Sequence, residues 1–152
     1  MCLFVWRLAF FHRALRAAEA VPALPTTPII LEGKQSLSQM LNWNTLTEVA
    51  QLNAIKERSF EKPQVLFKHS TRCGVSSIAL RRLEKTPDIT NADFHFLDLI
   101  RFRKVSDKIA EDFGVYHQSP QILVIKNGDC VYDESHLGIN VDELSEQIFS
   151  LN

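Results

Sequence analysis

The sequence predicts an α/β domain in which one mixed, four-stranded sheet is flanked by helices on both faces. Three observations lead to this fold class. Helical and strand patterns alternate along most of the chain, Cys73 lies at a junction from a strand to a helix, and Pro120 directly precedes the first strand of a hairpin. A strand-helix-strand unit followed by a hairpin gives parallel pairing first and antiparallel pairing after it.

The first helix is predicted over residues 46–58, where apolar side chains recur at steps of three and four residues. Residues 64–67 then form a short run of β-favouring residues that reads as a buried strand. Beyond Cys73, the stretch GVSSIALRRLEK has the pattern of a second amphipathic helix, which Pro87 and the polar residues after it end.

The second half of the domain continues with a strand over residues 94–100, followed by a helix over 105–113 that ends at Gly114. Strands at 121–125 and 130–132 enclose an Asn-Gly pair, which is the strongest short signal for a hairpin. A last helix over 141–151 is capped near Asn140. This order of elements is that of a thioredoxin-like sheet.

The composition fits one domain and gives no sign of a polyanionic partner. The chain has 152 residues, of which 45% are hydrophobic and 23% charged, in the range of an ordinary globular protein. The formal net charge is -1, so no basic surface for nucleic acid or an acidic membrane is expected.

Residues 1–39 differ in composition from the rest, being apolar and basic at first and then rich in proline. A secretory signal would place its charge before the apolar run, and Arg7 and His12 leave runs shorter than the roughly 20 residues of a membrane span. An Arg-rich mitochondrial presequence stays open. We interpret 1–39 as a disordered tail or an overextended gene start, and 40–152 as the domain.

Cys73 is the candidate nucleophile. At the first turn of a helix, unpaired N–H groups and the positive end of the helix dipole stabilise a thiolate, which is the attacking form in disulfide exchange. Lys68, His69 and Arg72 are expected to add positive potential, and Ser76 to donate a hydroxyl hydrogen bond to the sulfur. A small buried residue that only packs is the alternative.

The chemistry is predicted to be monothiol, because Ser76 occupies the position of the second cysteine of a C-x-x-C motif. Cys130 is a conceivable resolving residue, but its strand position favours a structural role, and Cys2 belongs to the extension. Widely separated cysteines favour neither a disulfide framework nor a metal site, and they suit a reducing cytoplasm. We therefore expect a cytoplasmic monomer without a metal or bound cofactor.

Other polar residues have weaker claims to a role. Pro120 is either a cis proline or an ordinary turn proline; in the cis case the backbone of Ser119 could pair with an extended substrate. Three histidines have no partner at a useful spacing and are interpreted as surface or core residues: His95, His117 and His136. Asp93 and Asp98 flank or interrupt the second strand and are interpreted as solvated polar groups.

At KHSTRCGVSSIALRRLE, residues 68–84, the chain resembles the bacillithiol-system redox-active family, the monothiol bacilliredoxins of YtxJ type. The resemblance covers about residues 40–152 and is most specific in the H-S-T-R-C run. It implies a thioredoxin-like fold and removal of bacillithiol from S-thiolated proteins, with Cys73 as nucleophile and bacillithiol as co-substrate. The residues assigned to stabilising the thiol or binding substrate are Lys68, His69, Thr71, Arg72, Gly74, Ser76, Ser119 and Pro120.

Two alternatives remain at this point. The C-G-V-S run also resembles the C-G-F-S of monothiol glutaredoxins, which implies glutathione chemistry and a bridged iron–sulfur cluster. The stretch at residues 134–138 lacks their Gly-Gly and Cys-Asp element. The second alternative is a non-enzymatic binding module similar to arsenate-reductase-like regulators, for which Arg101 or Arg103 would be the anion ligand.

Overall fold

The computed structural model describes residues 41–85 and 89–151. The interpretation of residues 1–39 and the helix stop at Pro87 lie outside these ranges. The elements in chain order are β1 (Trp43–Thr45), α1 (Ala50–Arg58), β2 (Gln64–His69), α2 (Gly74–Glu84), β3 (Asp93–Asp98), α3 (Arg103–Phe113), β4 (Gln121–Lys126), β5 (Asp129–Ser135), a 3₁₀ turn (His136–Gly138) and α4 (Val141–Ser150).

Within the described ranges, the strands form one sheet of five in the order β1-β3-β2-β4-β5. Strand β3 is parallel to both β1 and β2, whereas β4 is antiparallel to both β2 and β5. The predicted α/β architecture, a mixed sheet flanked by helices, is confirmed.

The prediction of four strands was wrong by one, because β1 is too short to show an alternating pattern. Its residues pair with β3 from Trp43 opposite Phe94 to Thr45 opposite Phe96. The Trp43 ring packs on Phe94, Phe96 and Phe67 with centroid distances of 5.7, 6.0 and 6.0 Å. Packing against residues distant in sequence therefore places this edge strand.

Helix α1 begins later than its periodicity predicts. The backbone N–H of Leu46 donates to Phe96 O at 2.8 Å, so this apolar residue extends the strand pairing rather than the helix. The Gln51 side chain then accepts the N–H groups of Thr47 and Glu48 at 2.8 and 2.9 Å. These bonds satisfy backbone donors ahead of the helix and form the turn that leads into it.

Adjacent residues of β2 supply two separate cores, because side chains alternate across a strand. Phe67 packs with Ala79 and Leu83 of α2, on the same face as α4. Leu66 packs with Ile55 of α1 and Ile109 of α3 on the opposite face. Helix α2 and helix α3 therefore cover opposite faces of the sheet.

The structure confirms the predicted hairpin turn, the end of α3 at Gly114 and the cap of α4 at Asn140. Asn127 and Gly128 have φ angles of 54° and 87°, as the two-residue hairpin requires, and Gly114 ends α3 with a φ of 64°. The Asn140 side chain caps α4 by accepting the N–H of Asp142 at 3.0 Å. In the part of the chain that the structure describes, no helix has the length and apolar character needed to cross a membrane.

Candidate active site

Cys73 is the N-cap residue of α2, with an extended backbone at φ -113° and ψ 117°. Its carbonyl accepts the N–H of Ser77 at 3.2 Å, the first bond of the helix, and its own N–H donates to Ser70 O at 3.1 Å. The second bond closes a tight turn between the end of β2 and the helix. The cysteine is unbonded and partly exposed, so its sulfur lies at the positive end of the helix.

Cys130 lies at the opposite end of the sheet. The start of β4, Gln121, pairs with Lys68 near the end of β2, whereas Cys130 pairs with Ile125, which is opposite Gln64. Four strand residues span about 13 Å, and a disulfide needs Cα atoms within about 7 Å. Cys130 is therefore out of reach of the turn that holds Cys73.

The surroundings of Cys130 also favour a structural role. Its Sγ donates to Tyr132 O at 3.3 Å, and the residue packs against the core on the α1 and α3 face. Burial raises the pKa of the Cys130 thiol to about 11, with a smaller contribution from Asp133. Such a thiol is poorly ionised near neutral pH and makes a poor nucleophile.

Ser76 joins the end of β2 to helix α2. Its side chain is fully buried, and its Oγ accepts the N–H of Ser70 at 2.9 Å and lies 2.7 Å from His69 Nδ1. We expected this hydroxyl to bond the Cys73 sulfur; its hydrogen bonds are instead with Ser70 and His69. Ser76 therefore positions the turn that carries the cysteine.

His69 is a buried, neutral ring rather than a source of positive charge. Its ring packs on Phe67 and Phe96 with centroid distances of 6.0 and 5.4 Å. Burial lowers the pKa of His69 below its ordinary value of 6.5, although Asp98 opposes the shift. At neutral pH the imidazole contributes a hydrogen bond to Ser76, and the expected positive potential from this residue is absent.

Lys68 also differs from its expected role, because it lies on the other face of β2. It shares the α3 side of the sheet with Leu66, whereas Cys73 leads into α2 on the opposite side. The Lys68 Nζ is 2.8 Å from Gln121 Oε1 and 3.1 Å from His117 Nδ1. The lysine therefore contacts the segment before β4 rather than the cysteine.

Thr71, Arg72 and Gly74 form the exposed surface beside Cys73. Arg72 is consequently the one member of the predicted basic flank that lies exposed in this turn. A Cβ added at Gly74 would meet no atom within 4 Å, so space alone does not require glycine there.

Ser119 and Pro120 lie at the same end of the sheet as Cys73, because the next residue, Gln121, pairs with Lys68. The Ser119–Pro120 peptide is cis, which decides between the two alternatives left by the sequence. Pro120 O accepts the N–H of His136 at 3.0 Å. The Ser119 Oγ is buried and has no hydrogen-bond partner among the described residues.

No partner is predicted for His95 or His117 from sequence spacing, but both have one in the fold. His95 Nε2 is 2.9 Å from Gln64 Oε1, and burial lowers the pKa of His95 to about 4. His117 Nδ1 is 3.1 Å from Ser106 Oγ as well as from Lys68. Only the strand register brings these groups together, so no local pattern could reveal them.

Asp93 and Asp98 also make specific contacts. Asp93 forms an ion pair with Lys62 at 2.7 Å. Burial would raise the pKa of Asp93, but the hydrogen bonds from Lys62 and Gln64 lower it below its ordinary value. Asp98 accepts the N–H of Ile100 at 3.0 Å at the end of β3. Across residues 41–85 and 89–151, no group of three or more His, Cys, Asp or Glu is arranged to hold a metal ion.

The site combines a cysteine at the amino end of a helix, a serine three residues later, and a cis-proline loop at the same end of the sheet. These features define a thioredoxin-like oxidoreductase of the monothiol class. Comparison with known proteins agrees. The family model of the monothiol bacilliredoxin BrxC matches residues 44–144. The chain therefore belongs to the monothiol bacilliredoxin family, and its chemistry is thiol redox chemistry.

Solved structures show the same fold. A protein with a thioredoxin fold is 30% identical over 67% of this chain and 89% of its own, with a TM-score of 0.60. Thioredoxin from Fasciola hepatica is 21% identical over 72% of this chain and 99% of its own, with a TM-score of 0.57. Thioredoxin f from spinach chloroplast is 19% identical over 74% and 95%, with a TM-score of 0.55. The last two similarities show the fold alone.

Proposed function

We propose that this protein removes bacillithiol from protein mixed disulfides by monothiol exchange at Cys73. The observation that supports this most directly is the partly exposed Cys73 at the amino end of α2, with Ser76 in place of a second thiol and Cys130 at the far end of the sheet. Family membership supports a low-molecular-weight thiol as the co-substrate.

The exchange proceeds in two steps without net oxidation. The Cys73 thiolate attacks the bacillithiol sulfur of the mixed disulfide, a new disulfide forms between Cys73 and bacillithiol, and the protein thiolate leaves and takes a proton from solvent. A second bacillithiol thiolate then attacks the bacillithiol sulfur of the adduct. It releases the Cys73 thiolate and forms the symmetrical disulfide, so each step breaks one S–S bond and makes another.

The residues around Cys73 position the reacting sulfur and its substrate. Ser76 and His69 hold the turn, and Arg72 presents a cation beside the cysteine to the carboxylates of an incoming thiol. The cis Ser119–Pro120 peptide lies at the same end of the sheet, where the backbone of Ser119 can pair with an extended substrate. In this proposal the partners are S-thiolated proteins and bacillithiol, and the protein acts as a cytoplasmic monomer without a metal or bound cofactor.

Mass spectrometry tests this proposal with a bacillithiolated protein substrate. Wild-type protein and Cys130→Ala, the matched control, should both gain one bacillithiol on Cys73 and release the substrate thiol. Cys73→Ala should gain none. Equal transfer by Cys73→Ala and wild type would refute the proposal, and faster transfer from a glutathionylated substrate would replace bacillithiol with glutathione.

The two alternatives from the sequence predict different behaviour. A cluster-bridging glutaredoxin would become coloured after anaerobic reconstitution with iron and sulfide, whereas the exchange enzyme would stay colourless. For the anion-binding module, Arg103 is already engaged, since its Nε lies 2.8 Å from Asp107. Arg103 also begins α3, on the opposite face of the sheet from α2, which places it away from Cys73.

A further inference from the structure

A buried polar network lies next to Ser119 and Pro120, at the end of the sheet that carries Cys73. Its centre is Lys68, whose side chain is 0% exposed. A lysine ammonium has three N–H donors, and two of the acceptors here are Gln121 Oε1 at 2.8 Å and His117 Nδ1 at 3.1 Å. Among the described residues, no carboxylate lies within ion-pair distance of Lys68 Nζ.

Gln121 extends this network along the segment that precedes β4. Its Nε2 donates to Tyr116 O at 3.0 Å and to Asp133 Oδ2 at 3.3 Å. Its Oε1 accepts the N–H of Gln118 at 3.3 Å in addition to the bond from Lys68. The side chain of Gln121 therefore joins several points of residues 116–121, the segment that contains Ser119 and Pro120.

His117 provides the second connection between Lys68 and this segment. Its Nδ1 also lies 3.1 Å from Ser106 Oγ on α3. Lys68 thus contacts the segment both near its beginning, through His117, and at its end, through Gln121. A buried polar group is costly when it loses its partners, so these contacts favour a single conformation of the segment.

We propose that Lys68 is a positioning residue that holds residues 116–121, and with them the cis Ser119–Pro120 peptide, in the arrangement that receives a protein mixed disulfide beside Cys73. The inference rests on the proposed function for the identity of the substrate. It replaces the role that the sequence suggested for Lys68, because the lysine acts on the substrate-facing segment rather than on the sulfur.

The charge environment sets the protonation state of Lys68. Burial and Arg103 lower the pKa of Lys68 to about 8, whereas Asp107 and Asp133 raise it. His117, which faces the lysine directly, has its pKa lowered by burial and by Lys68 itself. Above pH 8 the buried ammonium becomes a neutral amine, which this site favours over the charged form and which keeps two N–H donors for Gln121 and His117, so the segment should stay in place.

Hydrogen exchange of residues 114–122 tests the positioning role without reference to activity. In Lys68→Met, exchange in this peptide should accelerate about tenfold, with no comparable change in α1. The matched control is Lys62→Met, which removes a lysine at the other end of β2 that pairs with Asp93. That control should leave residues 114–122 unchanged. Wild-type exchange rates in Lys68→Met would overturn the inference.

A second variant covers the case in which Lys68→Met fails to fold. His117→Leu removes only one of the two Lys68 contacts, from a residue that is only partly buried. It should produce a smaller acceleration in the same peptide. Unchanged exchange in a folded His117→Leu protein would likewise count against the network.

Kinetics with a bacillithiolated protein separates positioning from activation of the sulfur. In Lys68→Met, KM should rise severalfold while kcat changes less. If the rate of Cys73 alkylation by iodoacetamide fell by as large a factor as kcat/KM, Lys68 would act on the sulfur and the inference would be overturned. If wild-type protein has no exchange activity, the proposed function fails, while the hydrogen-exchange result still decides whether Lys68 positions the segment.

Discussion

Ser76 Oγ lies 2.7 Å from His69 Nδ1 and accepts the N–H of Ser70 at 2.9 Å, so one helix side chain holds both the last residue of β2 and the turn after it. Ser76 stands where a dithiol oxidoreductase has its second cysteine. In this chain the same position serves to fix the geometry of Cys73. The monothiol site is thus built around a structural hydroxyl.

Ser76→Ala should destabilise the protein by about 2 kcal/mol, because it leaves the Ser70 N–H and the His69 ring without their partner in a buried site. Urea denaturation measures the loss. Ser77→Ala is a matched control in the same helix turn, since Ser77 Oγ makes only a long bond of 3.4 Å to Cys73 O. A loss of equal size in both variants would argue against the Ser76 network.

Cys73 should react with iodoacetamide at least about tenfold faster than Cys130 at pH 8, since the thiolate is the reactive form. Burial raises the pKa of Cys130 to about 11, whereas Cys73 is partly exposed at a helix end. Peptide mapping after timed alkylation gives both rates. The difference should disappear in strong denaturant, and equal rates in the native protein would contradict the structural role of Cys130.

Lys68 should make the protein more stable as the pH rises from about 8 to 10.5. The folded state loses the Lys68 proton at a pKa of about 8 and the unfolded state only near 10.5. The unfolded state therefore binds more protons in this window, and the free energy of unfolding increases with pH. At about 1.4 kcal/mol for each pKa unit, the increase is on the order of 3 kcal/mol.

Chemical denaturation of wild type and Lys68→Met between pH 7 and 10.5 measures this contribution. The Met variant should lack the rise, because it has no group at position 68 that titrates in this range. A parallel rise in both proteins would assign the effect to other groups.

His95 should make the protein lose stability as the pH falls from 6.5 to about 4. Burial lowers the pKa of His95 to about 4. Between pH 6.5 and 4 the unfolded state therefore binds a proton that the folded state does not bind. His95→Leu should reduce the acid loss by up to about 3 kcal/mol. The lowered pKa values of His69 and His117 leave part of the loss in place.

Denaturation of wild type and His95→Leu at pH 7, 5.5 and 4.5 measures the effect. The variant at the exposed His136, His136→Asn, serves as the control and should follow the wild-type profile. If His95→Leu keeps the full acid loss, the burial of His95 is not its source.

The local features of the site could be predicted from sequence because their signals lie within a few residues. The helix after Cys73, the Asn-Gly hairpin and the cap at Asn140 each depend on neighbouring backbone geometry, and the structure has all of them. The sequence also shows directly that position 76 is a serine and not a second cysteine. These features suffice for a monothiol cysteine on a thioredoxin-like fold.

Contacts between distant residues were decided only by the tertiary structure. A strand alternates its side chains, but which helix covers which face depends on packing, and this sends His69 towards α2 and Lys68 towards α3. Edge strand β1 exists because Trp43 packs on aromatic residues far along the chain. The sequence therefore determined the reactive residue and its helix, whereas burial and strand register determined which neighbouring charges reach it.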